Sequence, residues 1–219
     1  MLYTARLPRQ STVFSVWGRL KSAAEPHLHV GLFLVAVVFC GLVFGSVIAG
    51  QLQPADTAVL GQTVERLLTA ISAHQLASAS ELWWHRMVGD AQLLALLWLF
   101  GVSVIGLPFV VIAIFLRAFS VGFAVGFTVL HFGWKGFVVA AVAIFLHQVL
   151  SLTAFVCAGV LAIRFSAGIL GRAYPLPALS MAFLKYTAWF LLFAVVLMAG
   201  AAIQAYVAPP LLAGALVGA

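Results

Sequence analysis

The amino-acid sequence predicts an all-α, polytopic helical membrane protein with about five transmembrane helices, an N-terminal interfacial helix and an extracytoplasmic amphipathic helix. Its 219 residues are 65% apolar and only 7% charged, with a mean hydropathy of +1.19. Soluble domains are about half apolar and about a quarter charged. The apolar runs continue for about 20 residues at a time, which is the length that a transmembrane helix needs. They lack the alternation of a membrane β-barrel.

The charge of the chain indicates membrane orientation and not nucleic-acid binding. The net charge is +6, but no basic helix with interleaved aromatic residues is present. Cytoplasmic loops of membrane proteins accumulate Lys and Arg, which explains the basic balance. Cys40 and Cys157 both lie inside apolar runs, where a thiol behaves as a small hydrophobic group, so we expect no disulfide.

Residues 1–29 form a cytoplasmic or interfacial segment, and residues 30–219 form a single transmembrane domain. Val13, Phe14, Trp17 and Leu20 share one helical face, which favours a helix in the headgroup layer. A disordered basic tail is the alternative. The run Val30–Gly50 is the first span, which we expect to be an uncleaved anchor.

Residues 51–89 predict an amphipathic helix on the extracytoplasmic side. Apolar residues recur there at helical spacing among charged ones. Trp83 and Trp84 end the segment, and indole rings prefer the membrane interface.

The next three runs predict three further elements. A second span extends from Asp90 or Ala91 towards Arg117, with a kink expected near Pro108 because proline removes a backbone donor. The run Phe119–Phe132 is either a short span or a re-entrant segment. A longer run follows Lys135 and ends at Ile163.

A basic loop from Arg164 to Lys185 precedes the last span, which covers about residues 182–207 and ends at Pro209-Pro210. With a cytoplasmic N-terminus, five spans place eight basic residues inside and three outside. This asymmetry favours that orientation, with the C-terminus outside.

Two sets of residues inside the predicted spans are candidate sites. Gly122 and Gly126 are four residues apart, so they share a helix face on which a second backbone can approach closely. That face is either a subunit interface or internal packing. His147, Gln148 and Ser151 place polar groups within a span, where such groups are costly unless they face protein or water. A relay, a ligand site and a structural hydrogen bond each explain them.

A weak metal site is also predicted. Glu81 and His85 are four residues apart, and His131 is expected on the same outer side; carboxylate and imidazole are zinc ligands. Solvated interfacial polar side chains are the default interpretation of these residues. We otherwise expect no cofactor. The chain has no phosphate-binding loop, no nucleophile elbow and only five acidic residues, so we expect that it is not an enzyme.

The order of Gly, Pro and Trp positions resembles the stage II sporulation protein M family. The similar segments are Phe44-Gly45-Ser46, the stretch Leu96–Phe127, the segment Gly133–Phe137 and the ending Ala205–Pro209. Many relatives carry His-Gly-x-x-Glu at the position of His147. This chain keeps the His but has Gln148 and Ser151 in place of the Gly and the Glu.

The resemblance implies a scaffold in the bacterial cell membrane that joins a peptidoglycan hydrolase and a second membrane protein during sporulation engulfment. Packing through small residues favours a homodimer. The alternative is a transporter- or permease-like unit, because a proline-broken run and the intramembrane His147 are typical of solute sites.

Overall fold

The described part of the chain is built from helices. The computed structural model describes residues 12–53, 57–58, 60–62, 66, 79–140, 146–171 and 176–217. Five long helices lie in these ranges: α1 (Thr12–Gly50), α2 (Ala79–Val102), α3 (Leu107–Ala140), α4 (Leu146–Leu170) and α5 (Leu176–Val217). A 3-10 turn, Val104–Gly106, joins α2 to α3. The prediction of an all-helical protein is confirmed.

Four of these helices contain segments long and apolar enough to cross a membrane. The segments are Leu28–Gly50, Leu107–His131, Gln148–Leu170 and Leu179–Ala202. Apolar side chains cover much of their outer surface, as expected for helices that face lipid; examples are Phe39, Leu116 and Leu191. The structure therefore agrees with a multi-pass membrane protein.

The chain reverses between α2 and α3, so the prediction of one kinked span from Asp90 to Arg117 is wrong. Arg117 Nη2 lies 2.7 Å from Asp90 Oδ1, although the two residues are 27 positions apart. A continuous helix would separate them by about 40 Å. The ring centroids of Phe100 and Phe109, on either side of the turn, are 5.4 Å apart. Gly106 allows this turn because its α-carbon faces the backbone of Phe100.

The reversal also corrects the interpretation of residues 119–132. They are neither a short span nor a re-entrant segment, because they form the second half of the candidate span Leu107–His131. Arg117 accordingly lies within this span and not in a cytoplasmic loop.

The N-terminal and outer segments differ from the predicted ones in their boundaries. Residues 12–27 continue into the first span within α1, so the expected interfacial helix is not separate from that span. Residues 79–89 of the predicted amphipathic helix are the first three turns of α2. Most of residues 51–78 lies outside the described residues.

The last two helices are longer than predicted. Arg164 lies in α4 and Lys185 in α5, so the expected basic loop shrinks to the link between Leu170 and Leu176. Helix α5 continues past Pro209 and Pro210 to Val217. Each proline removes one backbone hydrogen-bond donor, which bends a helix without ending it when the neighbouring bonds remain.

The helices form a bundle in which neighbours along the chain run antiparallel. We call the end where α1 stops the Gly50 end, and the end with the turn between α2 and α3 the Gly106 end. Tyr186 of α5 is the largest buried side chain. Its hydroxyl donates to the Trp98 carbonyl at 2.9 Å, and its ring stacks on Phe165 with centroids 4.3 Å apart. These contacts connect α2, α4 and α5.

Glycines bring α1 and α3 into backbone contact, and these two helices share the most extensive interface of the bundle. A Cβ on Gly122 would lie 2.6 Å from Leu42 Cα, and one on Gly126 would lie 2.7 Å from Ser46 Cα. On α1, a Cβ on Gly41 would lie 2.8 Å from the Phe115 carbonyl oxygen. The Gly122–Gly126 face is therefore occupied by α1 of the same chain, which leaves no room there for a second subunit.

We expect Gly122→Ala to destabilise the protein, because the added methyl group would clash with the backbone of Leu42. A backbone cannot move aside as the end of a flexible side chain can. Overpacking costs about 1–3 kcal/mol. Gly89→Ala is the matched control, since nothing lies within 4 Å of a Cβ there. Alanine in place of glycine inside a helix stabilises it by up to about 1 kcal/mol. The temperature of thermal unfolding in detergent should therefore fall for Gly122→Ala and rise for Gly89→Ala. Shifts of equal sign and size would show that the backbone approach does not hold the two helices together.

Candidate functional site

A buried ion pair joins α2 to α3 within the bundle. Arg117 Nη2 donates to Asp90 Oδ1 at 2.7 Å, and the two side chains are 21% and 3% exposed. Ionised groups in an apolar bundle are costly unless they are paired. Asp90 therefore compensates the charge of Arg117, and Arg86, one turn before Asp90 in α2, is a second half-buried base close to the pair.

The same guanidinium also contacts α4. Arg117 Nη2 lies 3.4 Å from the Ser151 hydroxyl oxygen, and the guanidinium carbon lies 5.6 Å from the centroid of the Phe155 ring. Ser151 and Phe155 are one helical turn apart and fully buried. A cation over an aromatic face is attracted by the ring quadrupole. One side chain thus connects three helices through an ion pair, a hydrogen bond and a cation–π contact.

We call Asp90, Arg117, Ser151 and the adjoining Gln148 the charge cluster. Gln148 is 7% exposed and lies one turn before Ser151. Its Oε1 and the Nε of Arg117 are buried and have no hydrogen-bond partner among the described residues. One of these atoms is an acceptor and the other a donor, so the cluster retains hydrogen-bonding capacity beyond the bonds that it makes.

The polar set predicted for this region is partly in the cluster. Gln148 and Ser151 are buried, and Ser151 contacts Arg117. His147 belongs to α4 by its backbone, but its side chain lies outside the described residues. Sequence reasoning missed Asp90 and Arg117 as site residues because both were assigned to span ends. Asp90 and Arg117 are separated from the turn at 104–106 by similar numbers of residues. Two antiparallel helices joined at that turn bring such positions side by side, and this is the signal that predicts the pair.

The predicted zinc ligands are not seen as a group. The Glu81 side chain lies outside the described residues, whereas His85 and His131 are both exposed. His131 stacks on Phe127 with centroids 5.4 Å apart, and it packs against Gly61. Among the residues that the structure describes, no three His, Cys, Asp or Glu side chains converge. The zinc site stays a prediction.

Comparison with known families gives one match. The family model described as stage II sporulation protein M matches residues 32–209, which covers all of the candidate spans except the first four residues. No curated protein and no solved structure shows a significant match.

We expect Asp90→Asn and Arg117→Met each to lower the free energy of unfolding by about 3 kcal/mol, because each leaves one uncompensated buried charge. The double variant should recover most of this loss, since it removes both charges. Unfolding in detergent measures the difference, and Arg66→Gln serves as a control for loss of an exposed charge. If the losses in free energy of unfolding from the two single variants simply add in the double variant, Asp90 and Arg117 do not interact directly.

Proposed function

The chain belongs to the stage II sporulation protein M family, and we propose that it is a non-catalytic scaffold of a peptidoglycan-remodelling complex that acts in sporulation engulfment. Family membership makes it a sporulation-related membrane protein. The scaffold role rests on one structural observation: the intramembrane polar groups are used to hold helices together. Asp90 and Ser151 are buried, and both contact Arg117.

A solute site would need polar groups that reach water. Two cavities lined by described residues lie at the Gly106 end, away from the charge cluster. A transporter would also expose its midplane polar residues to a pathway. A bundle in which the buried Asp90 is paired with Arg117 fits a platform for other proteins better than a carrier that alternates between two states.

We propose that α2 also crosses the membrane, which makes five spans. It has 24 residues, about 36 Å at the usual rise per residue, and it lies antiparallel to the α3 span. Its buried acid, Asp90, is paired with Arg117. The N-terminus is then cytoplasmic, because the Gly106 end carries more basic residues than the Gly50 end. On the cytoplasmic side are Arg6, Arg9, Arg19, Lys21, Arg164, Arg172 and Lys185.

This orientation places the Gly50 end outside the cell, where the wall lies. Trp84 is 56% exposed there, although the neighbouring Trp83 is tied to α5 by a hydrogen bond from Nε1 to the Met198 carbonyl. We propose that the exposed side chains Trp84 and His85 contact the hydrolase or the second membrane protein. The proposed homodimer uses a face other than Gly122–Gly126, because α1 covers that one.

Single cysteines introduced at Ser103, Lys135 and Gly171, in a chain with Cys40 and Cys157 changed to Ala, test the five-span arrangement. A membrane-impermeant thiol reagent should label Lys135→Cys in intact cells, and should label the other two only after permeabilisation. If α2 does not cross the membrane, each of the three positions lies on the opposite side of the membrane. That inverted pattern would overturn the arrangement of five spans with a cytoplasmic N-terminus.

The scaffold role is tested by following a fluorescent peptidoglycan hydrolase in sporulating cells. The hydrolase should disperse from the septal membrane when the chain is removed. Trp84→Ala/His85→Ala should weaken its co-purification with the chain, whereas Leu191→Ala/Leu192→Ala, on the exposed face of α5, should not. Unchanged hydrolase placement without the chain would contradict the proposal. So would solute flux into proteoliposomes that depends on Asp90.

A further inference from the structure

The side of α2 that points away from the bundle carries a regular stripe of exposed residues. We call it the α2 stripe, and its members are Gly89, Gln92, Leu96 and Leu99. They follow one another at spacings of three, four and three residues, which is the repeat with which two helices pack along each other at about 20°. Leu94 and Leu97, on the opposite side of the helix, are buried in the bundle. Nothing lies within 4 Å of a Cβ at Gly89, so the chain itself does not cover this stripe.

Gln92 places a polar group of the stripe about halfway through the membrane. Asp90 pairs with Arg117, and Arg117 is ten residues from one end and fourteen from the other end of the candidate span Leu107–His131. Gln92 is two residues from Asp90 along α2, a rise of about 3 Å. Its exposed amide therefore lies at the depth of the hydrocarbon, where a polar group without a hydrogen-bond partner is costly.

The amide of Gln92 forms no hydrogen bond with the described part of the chain. Two other exposed polar side chains in the spans are satisfied by their own helices. Ser120 donates to the Leu116 carbonyl at 2.9 Å, and Thr153 donates to the Val149 carbonyl at 2.7 Å. A glutamine cannot be satisfied in this way alone, because its Oε1 needs a donor and the backbone N–H groups within a helix are already used.

A second copy of the chain supplies the donor and the acceptor that Gln92 lacks. All copies lie in the membrane with the same orientation, so a two-fold axis along the membrane normal brings residues of equal depth together. Gln92 then meets Gln92 of the second copy. The amide is complementary to itself, because Nε2 donates and Oε1 accepts. A different membrane protein would need a polar side chain of its own at this one depth.

We propose that the chain forms a two-fold symmetric dimer through the α2 stripe, in which the two Gln92 side chains hydrogen-bond to each other and Leu96 and Leu99 pack beside them. A single amide within an apolar helix contact fixes the register of the two helices. This interface rests on the proposed crossing of α2, and it gives the proposed homodimer its contact surface.

Disulfide formation between single cysteines tests the surface. In the full chain with Cys40 and Cys157 changed to Ala, Leu96→Cys or Leu99→Cys should give covalent dimers when native membranes are oxidised, because facing thiols in the stripe come within disulfide range. Leu191→Cys, which is more exposed but lies on α5, should stay monomeric. Dimers at Leu191→Cys and at neither α2 position would overturn the proposal. So would covalent products that join the α2 cysteines to a different protein in place of a second copy.

Gln92→Leu tests the amide. It should weaken dimerisation of the purified chain in detergent by roughly tenfold, as loss of hydrogen bonds between transmembrane helices does. Gln92→Asn keeps an amide and should retain most of the dimer. Thr153→Val is the matched control, since it removes an exposed polar group that its own helix already satisfies, and it should leave dimerisation unchanged. A dimer that is equally stable in Gln92→Leu would contradict the proposal.

Two measurements separate this interface from the proposals on which it rests. The accessibility of Lys135→Cys reports whether α2 crosses the membrane, and thermal unfolding of Gln92→Leu reports whether the chain still folds. A folded chain with five spans that forms no α2 disulfide would reject the stripe as the dimer contact and would leave the five spans standing.

Discussion

Lipid tails give two apolar helices no hydrophobic reason to associate, and this constraint explains how the bundle is held together. Association must come from close packing and from polar contacts that water would otherwise satisfy. The chain uses each device in a different place. Gly122 and Gly126 let α3 lie on the backbone of α1. Where α2, α3 and α4 meet, Arg117 supplies an ion pair to Asp90 and a hydrogen bond to Ser151.

The sequence predicts the helical class and the first and last spans closely, but the span expected to follow Lys135 and end at Ile163 lies at Gln148–Leu170. Hydropathy alone also does not locate the turn between α2 and α3. Both sides of that turn are apolar, so hydropathy averaged over a sliding window finds one long apolar run with a kink. Arg117 then marks a false boundary, since a charge in an apolar run usually lies in a loop. Length resolves the ambiguity. Residues 79 to 131 divide about residue 104 into two helices of about 25 residues, and a full crossing needs about 20.

The same limitation explains why the candidate site was only partly predicted. Gln148 and Ser151 were identified because polar residues stand out within an apolar segment. Asp90 and Arg117 belong to a site only because two helices fold back on each other, and a single helix does not show that relation. Arg164 and Lys185 were likewise assigned to a loop. They become a pair only when α4 and α5 extend far enough to bring them to opposite walls of one crevice.

The two ends of the bundle therefore have different chemistry for a common reason. All five acidic residues lie within the first 90 positions, and Arg117 pairs with the last of them, Asp90, inside the bundle. The bases Arg164 of α4 and Lys185 of α5 lie towards the Gly106 end. The Asp90–Arg117 pair compensates two charges at depth, next to the half-buried Arg86 of α2. A membrane whose inner leaflet carries anionic lipid holds such a protein in one orientation. The proposed scaffold role would require that property, because the opposite end of the bundle would have to face the wall.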